Sequence, residues 1–340
     1  MRRGLLAGTL AGLTLVVAAC SSSPGKGSSS AKTPVQAVTD AVNRVGSGGS
    51  GTLTLSLFGS AADFDALSTT AASKKTDALA NKLIPNSSVT LSFQKGSTPS
   101  TGSGELDLKL NGEDRAVDVI ISKHILYAKA DVKGIGSATG ANTSKLTTQA
   151  GALAAEIPAI NDLLAGKYVS LDLNSVSGLL KQVAGAGASG STTTSVPASE
   201  LKQIEAQVRA ALLTNSQITK VGSDSVGDHY QVVVQGKQLV QSLSGSVSQL
   251  AGPLASQLGS VNKDVNKVPA KPVTVDTWVS GGKLKQIEVD LRQFHQGAGG
   301  PSNPVGIKVA VSDSGSVSVP SGATPVDLTK VAGLLGGLLG

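Results

Sequence analysis

The sequence predicts an α+β domain: a strongly curved antiparallel sheet, a half-barrel of about eleven strands, with helices covering its concave face. Three observations predict it. Period-two segments such as Leu53, Leu55 and Leu57 against Thr52, Thr54 and Ser56 recur down the chain, the mark of strands with one solvated face. Runs with helical spacing separate them, and each needs an apolar surface to lie on. A composition of 40% hydrophobic and 15% charged residues supports a sizeable core, which a disordered stalk does not have. Two stacked sheets are the alternative architecture.

The chain opens with Arg2 and Arg3, then an apolar stretch from Leu5 to Val17. That order matches a secretory signal, and the stretch is shorter than the ~20 residues a spanning helix needs. It ends at Val17-Ala18-Ala19-Cys20, where Cys20 is the only cysteine in 340 residues. A single cysteine makes no intramolecular disulfide, so packing alone holds the fold. The segment resembles the lipobox of bacterial lipoproteins, which implies cleavage after residue 19 and a diacylglyceryl thioether on Cys20. Removing residues 1–19 takes away two arginines and no acid, so the formal charge falls from +6 to +4. Residues 21–33 are polar and without period, a flexible tether.

Pro34 opens a helix with Val35, Val38, Val42 and Val45 on one face, and the glycines at 46–51 end it. Strands are expected at Leu53–Leu55–Leu57, at Val89, Leu91 and Phe93, at Leu106, Leu108 and Leu110, and at Val117, Val119 and Ile121. Asn111-Gly112 turns the third strand into the fourth. A fifth strand is expected over 124–130 and a sixth over 166–173. Between them, residues 61–84 and 145–164 have helical character, the latter interrupted at Pro158. Residues 184–196, AGAGASGSTTTSV, form a flexible insertion.

The second half repeats the alternation. A helix over 197–213 precedes strands at 217–222 and 229–235. The most regular helical pattern follows: Leu239, Leu243, Val247, Leu250, Leu254, Leu258 and Val261 fall within an arc of about 100°. Strands through Val273, Val275, Thr277 and Val279, then Ile287, Val289 and Leu291, are joined at Gly281-Gly282, and a last one carries Ile307, Val309 and Val311. Residues 331–339 form an apolar tail too short to span a bilayer, expected to pack over the domain, with contact to the membrane as the alternative.

Several chemistries are excluded. Lysines are scattered, aromatics make up 2% of the chain, and no basic stripe interleaves with stacking residues, so nucleic acid is not a partner. His124, His229 and His295 lie in separate strand-like segments without a second ligand at metal spacing. The nucleophile-elbow pattern is missing. Gly46-Ser47-Gly48-Gly49-Ser50-Gly51 and Gly185-Ala186-Gly187-Ala188-Ser189-Gly190 match the bare dinucleotide fingerprint. Neither follows a strand and opens a helix, as pyrophosphate binding requires. Glu105, Asp107, Glu288 and Asp290 alternate with apolar partners and are expected on a solvated face. Neither an enzyme nor a cofactor is expected. What remains to explain function is aliphatic surface, with four Phe, three Tyr and one Trp in the whole chain.

The order of elements resembles a known family. Gly51-Thr52-Leu53-Thr54-Leu55, Ile125-Leu126-Tyr127-Ala128, Gly166-Lys167-Tyr168-Val169, and Pro272-Val273-Thr274-Val275-Asp276-Thr277-Trp278-Val279 with Gly282-Lys283-Leu284 resemble the actinobacterial LppX/LprA/LprF/LprG lipoproteins, over roughly residues 34–312. That family is similar in fold to the LolA/LolB carriers, a half-open barrel capped by helices around a hydrophobic cavity. The resemblance implies a lipoprotein held by an N-terminal lipid (a palmitate-type anchor) on the extracytoplasmic face of the cell membrane. It also implies binding, and transfer, of lipids or acylated glycolipids, with an envelope transporter as a partner. The expected organisation is a signal peptide over 1–19, the lipidated end and tether over 20–33, the lipid-binding domain over 34–328 and the tail over 329–340. Leu53, Leu55, Leu57, Leu91, Phe93, Val119, Ile121, Leu243, Val247, Leu250 and Leu254 are the expected cavity lining. A ligand-free structural or interaction lipoprotein of the envelope is the alternative.

Overall fold

The computed structural model describes residues 32–45, 47–67, 86–98, 101–140, 142–176, 210–211, 213–239, 241, 271–295 and 300–330. Cys20, the tether up to residue 31, residues 68–84 of the expected helix over 61–84, the insertion at 184–196, nearly all of the expected helices over 197–213 and 239–261, and the tail at 331–339 lie outside them. In chain order the elements are α1 (Pro34–Arg44), β1 (Ser50–Phe58), α2 (Ala61–Leu67), β2 (Ser88–Gln94), β3 (Ser103–Leu110), β4 (Glu113–Ser122) and β5 (Ile125–Ala130). There follow α3 (Val132–Thr139), α4 (Ser144–Ala154), α5 (Ala159–Leu164) and β6 (Val169–Asp172). The last are β7 (Ser216–Ser223), β8 (Asp228–Val234), β9 (Val273–Ser280), β10 (Lys283–Asp290), a 3-10 turn (Leu291–Phe294), β11 (Gly306–Ser312) and β12 (Thr324–Pro325). The fold is α+β and mostly antiparallel, with twelve strands among the described residues and no closure into a barrel. The extra strand is β12, two residues running parallel to β6, too short to leave a periodic signal.

The chain divides into two compact units, Met1–Gly48 with Thr193–Gln293 and Gly49–Thr192 with Phe294–Gly340. The first holds α1 and the strand row β10-β9-β8-β7, antiparallel throughout. Here α1 starts sharply: Thr33 and Gln36 form a reciprocal capping box, with Pro34 in the first turn. It packs on β7, β9 and β10 through Val38, Ala41 and Val45, while Val35 stays exposed. The buried stripe is therefore narrower than the valine spacing predicts. Tyr230, Thr277 and Ile287 share one cross-strand row and are buried together with Val279, Leu284 and Val289. Gly281 and Gly282, both at positive φ, make the expected turn between β9 and β10. At the end of the row, β7 slips register on β8 between Lys220 and Gly222, which leaves Val221 as an extra, exposed residue.

The second unit holds the row β12-β6-β5-β4-β3-β2-β1-β11. Asn111 and Gly112, at φ 48° and 84°, turn β3 into β4 with the two left-handed residues that a type I′ hairpin needs. The next hairpin uses the same geometry without glycine: Lys123 and His124 sit at φ 50° and 65°. His124 is therefore a turn residue, and the fifth strand starts at Ile125 instead of at 124. Helix α3 leaves no periodic signal in the sequence. Two glycines in eight residues hide its pattern, although its ends are marked, with Asp131 accepting the Gly134 N–H and Gly140 closing in the left-handed conformation. The expected interruption at Pro158 separates α4 from α5. Ile157 and Ala159 pack with Val169 of β6, joined by Ala128, Ile160, Leu163 and Val326.

Candidate functional site

Register decides which side chains share a face, and in the eight-stranded unit it collects the expected lining residues on one. Directly opposed positions run Leu53–Leu91–Leu106–Val119–Ala128–Val169, then Leu55–Val89–Leu108–Val117, then Gly51–Phe93–Gly104–Ile121–Leu126. Leu57 faces Ile307 of β11. All seven candidates from this unit, Leu53, Leu55, Leu57, Leu91, Phe93, Val119 and Ile121, therefore lie on the same face. Leu243, Val247, Leu250, Leu254 and the lipidation residue Cys20 fall outside the described residues.

Burial along this apolar face is uneven. At one end Ile307, Val309 and Val311 of β11 are buried, and at the other Val169 is covered by the α5 cluster. In between, Leu91 is 44% exposed, Leu106 42% and Ile121 46%. Full burial of such a side chain is worth about 1.5–3 kcal/mol, so each of these leaves roughly 1 kcal/mol unused. Their adjacency across β2, β3 and β4 makes one apolar area of them.

The opposite face carries the polar residues of the same strands, and it is buried where the sequence predicts solvent. Glu105 is 5% exposed and Asp118 is fully buried, which corrects the expectation for Glu105. They are held by Arg115, whose guanidinium donates to Asp118 Oδ2 at 3.0 Å and lies 3.3 Å from Glu105 Oε1. Tyr168 donates its hydroxyl to Asp118 and accepts from Arg115 at 3.1 Å. Arg115 pays for its position with a left-handed backbone, φ 57°, at about 1 kcal/mol for an L-residue. Asp118 Oδ1 has no hydrogen-bond partner among the described residues. Burial, then the Asp118 charge, push the Glu105 carboxyl above the usual range, against the pull of Arg115. Burial and the bond to Asp118 push the Tyr168 phenol up to about 12. The pairing of Arg115 with Tyr168 and the two carboxylates raises the guanidinium still further. The cluster joins β3, β4 and the start of β6; nothing in the local pattern of any one segment announces it.

In the four-stranded unit the imidazole of His229 stacks on Trp278, centroids 4.3 Å apart and planes 3° from parallel. His229 Nε2 is 2.9 Å from Asp276 Oδ1. The indole N–H donates to Asp224 Oδ2 at 2.7 Å, and this bond is the main reason the Asp224 carboxyl lies below its usual range. A His–Asp pair does chemistry when a nucleophile or metal is in reach. Among the described residues no three His, Cys, Asp or Glu side chains gather to hold a metal, and the pair reads as a strap between β8 and β9. His295 follows the 3-10 turn and packs against Gly300, so of the three histidines only His229 is on a strand.

No helix among the described residues is long and apolar enough to cross a membrane. Comparison with known proteins adds no relative: no family model matches the chain, and no curated protein matches it.

Proposed function

We propose that this protein is a membrane-anchored extracytoplasmic lipoprotein, similar to the LppX/LprG carriers, that binds and transfers lipids or acylated glycolipids. In this reading the sheet curves as a half-barrel, helices cover its concave side, and the anchor on Cys20 keeps the domain beside the bilayer that supplies its ligand. The observation that carries it is the apolar face of the eight-stranded unit, on which Leu91, Leu106 and Ile121 stay over two-fifths exposed between buried ends. A hydrocarbon chain laid there gains ~0.8 kcal/mol per buried methylene. A few such contacts suffice to hold an acyl chain out of water.

Mass spectrometry of organic extracts from purified full-length Cys20→Ala protein tests the binding. Acylated species that copurify in a fixed ratio are the expected result. Protein that is reproducibly empty, and that crosslinks in cells through Leu91 and Leu106 to another envelope protein, overturns it in favour of the interaction lipoprotein. Detergent phase partition of the native chain against Cys20→Ala tests the anchor separately: the variant is expected to leave the detergent phase.

A further inference from the structure

Among the described residues no charged side chain is buried more completely than Asp118, and its two oxygens are treated differently. Oδ2 accepts from the Tyr168 hydroxyl and from the Arg115 guanidinium. Oδ1 has no hydrogen-bond partner among the described residues. A carboxylate oxygen sealed from water without a donor is costly, so the structure calls for a hydrogen at Oδ1.

The surroundings narrow the choice of donor. Lys129 of β5 lies opposite Asp118 in register, but its ammonium is placed over the Tyr168 ring, 5.9 Å from the centroid. On the same strand Tyr127 is one row away, opposite Ile120. Helix α3 packs on β4; its Lys133 is exposed, and Asp131 accepts the Gly134 N–H as its cap. On β3 Asp107 stands opposite Asp118 and brings a further negative charge, while Lys109 is one row beyond, level with Ser88. From β2 the same rows receive only Thr90 and Ser92, which carry no charge.

Glu105 is the remaining neighbour. Arg115 holds it through Nη2 at 3.3 Å and holds Asp118 through Nη1 at 3.0 Å, so one guanidinium sets the two carboxyl groups side by side. One positive charge against two negative ones, with Asp107 adding a third, favours keeping a proton on the pair.

We propose that Glu105 and Asp118 form a proton-binding site, in which protonated Glu105 donates its carboxyl hydrogen to Asp118 Oδ1 while Arg115 holds both groups in place. This stands apart from the lipid-binding reading. The proton completes the network that ties β3 and β4 to Tyr168 at the start of β6, and its loss leaves two buried carboxylates on one guanidinium. Burial and the Asp118 charge, which raise the Glu105 carboxyl, act in the same direction.

The test is a carbon-13 NMR titration of the side-chain carboxyl groups in the full-length Cys20→Ala chain, with Glu105 and Asp118 assigned by through-bond correlation. Glu105 is expected to titrate above the other glutamates, and the Asp118 signal to move in the same step as its hydrogen bond is lost. Asp118→Asn is expected to lower the Glu105 midpoint by more than about one pH unit, the coupling that makes two sites titrate as one. Glu105 titrating together with the other glutamates overturns the proposal. So does an Asp118 signal that stays still while Glu105 titrates, since another donor such as water then serves Oδ1. A Glu105 midpoint unchanged in folded Asp118→Asn overturns it too, because burial alone then raises Glu105. Should that variant not fold, the two signals of the parent decide.

Discussion

On β3, Glu105 and Leu106 are neighbours in sequence and point to opposite faces, yet the carboxylate is 5% exposed and the leucine 42%. The same inversion crosses to β4, where Asp118 is sealed and Ile121 is among the most exposed apolar side chains. The polar face is held by specific partners: Arg115 pairs with both acids and Tyr168 donates to Asp118 Oδ2. On the apolar face Leu91, Leu106 and Ile121 each keep over two-fifths of their surface exposed. The comparison teaches that alternation fixes which residues share a face, whereas cover is decided by what the rest of the chain lays on it.

Three measurements probe the contrast between the two faces. The largest effect belongs to Arg115→Met, which leaves Glu105 and Asp118 buried without their cation. A loss of about 3 kcal/mol is expected in urea denaturation, the lower end for a broken buried pair because Arg115 is itself half exposed. A loss below about 1 kcal/mol means that water reaches the cluster and that the two faces differ less than their exposure implies.

The intermediate effect is a pH dependence. Because burial and Asp118 raise the folded-state value of Glu105, its charged form costs stability at neutral pH. That cost disappears as pH falls through the folded value toward the ordinary glutamate range. Asp63, held low first by its bond from Ser60, and Asp162, held low first by Thr324, work the other way. They add stability above the ordinary aspartate value, and it drains away as pH falls below that value. Unfolding midpoints against pH are expected to show a rise on mild acidification that Glu105→Gln abolishes, followed by a fall that it leaves in place. A rise that survives Glu105→Gln assigns it to another group.

The smallest effect tests the open face. Leu91→Ala is expected to cost under about 1.5 kcal/mol, well short of the 2–5 kcal/mol typical of a core leucine, while reducing lipid recovered on extraction. A core-sized loss with unchanged lipid content identifies Leu91 as ordinary packing.

Much of the frame was legible in the sequence because its signals are local. Period-two patterns located the long strands, Asn111-Gly112 and Gly281-Gly282 marked their turns, and parity alone set Leu53, Leu91 and Val119 on a common face. Lys123-His124 escaped because residues with side chains seldom take two left-handed positions in succession, and α3 escaped because its signal lies in its caps and not in its interior. The buried cluster escaped for a different reason. Asp118 and Tyr168 are 50 residues apart, and an acid's partner at that distance has no imprint on its own segment. Glu105, read beside its leucines, looked like any solvated strand carboxylate.

The slip of β7 between Lys220 and Gly222 has a consequence for the protein at high concentration. A strand at the end of a row offers its free amides and carbonyls to any other extended chain, and that is how native sheets grow into fibrils. With Val221 inserted, the spacing of those groups breaks partway along β7, and Lys220 places a charge beside the break, paired to Asp228 at 2.7 Å. A second copy aligned with one half of the strand is out of step with the other. The one residue that spoils the regularity of this border keeps it from serving as a template.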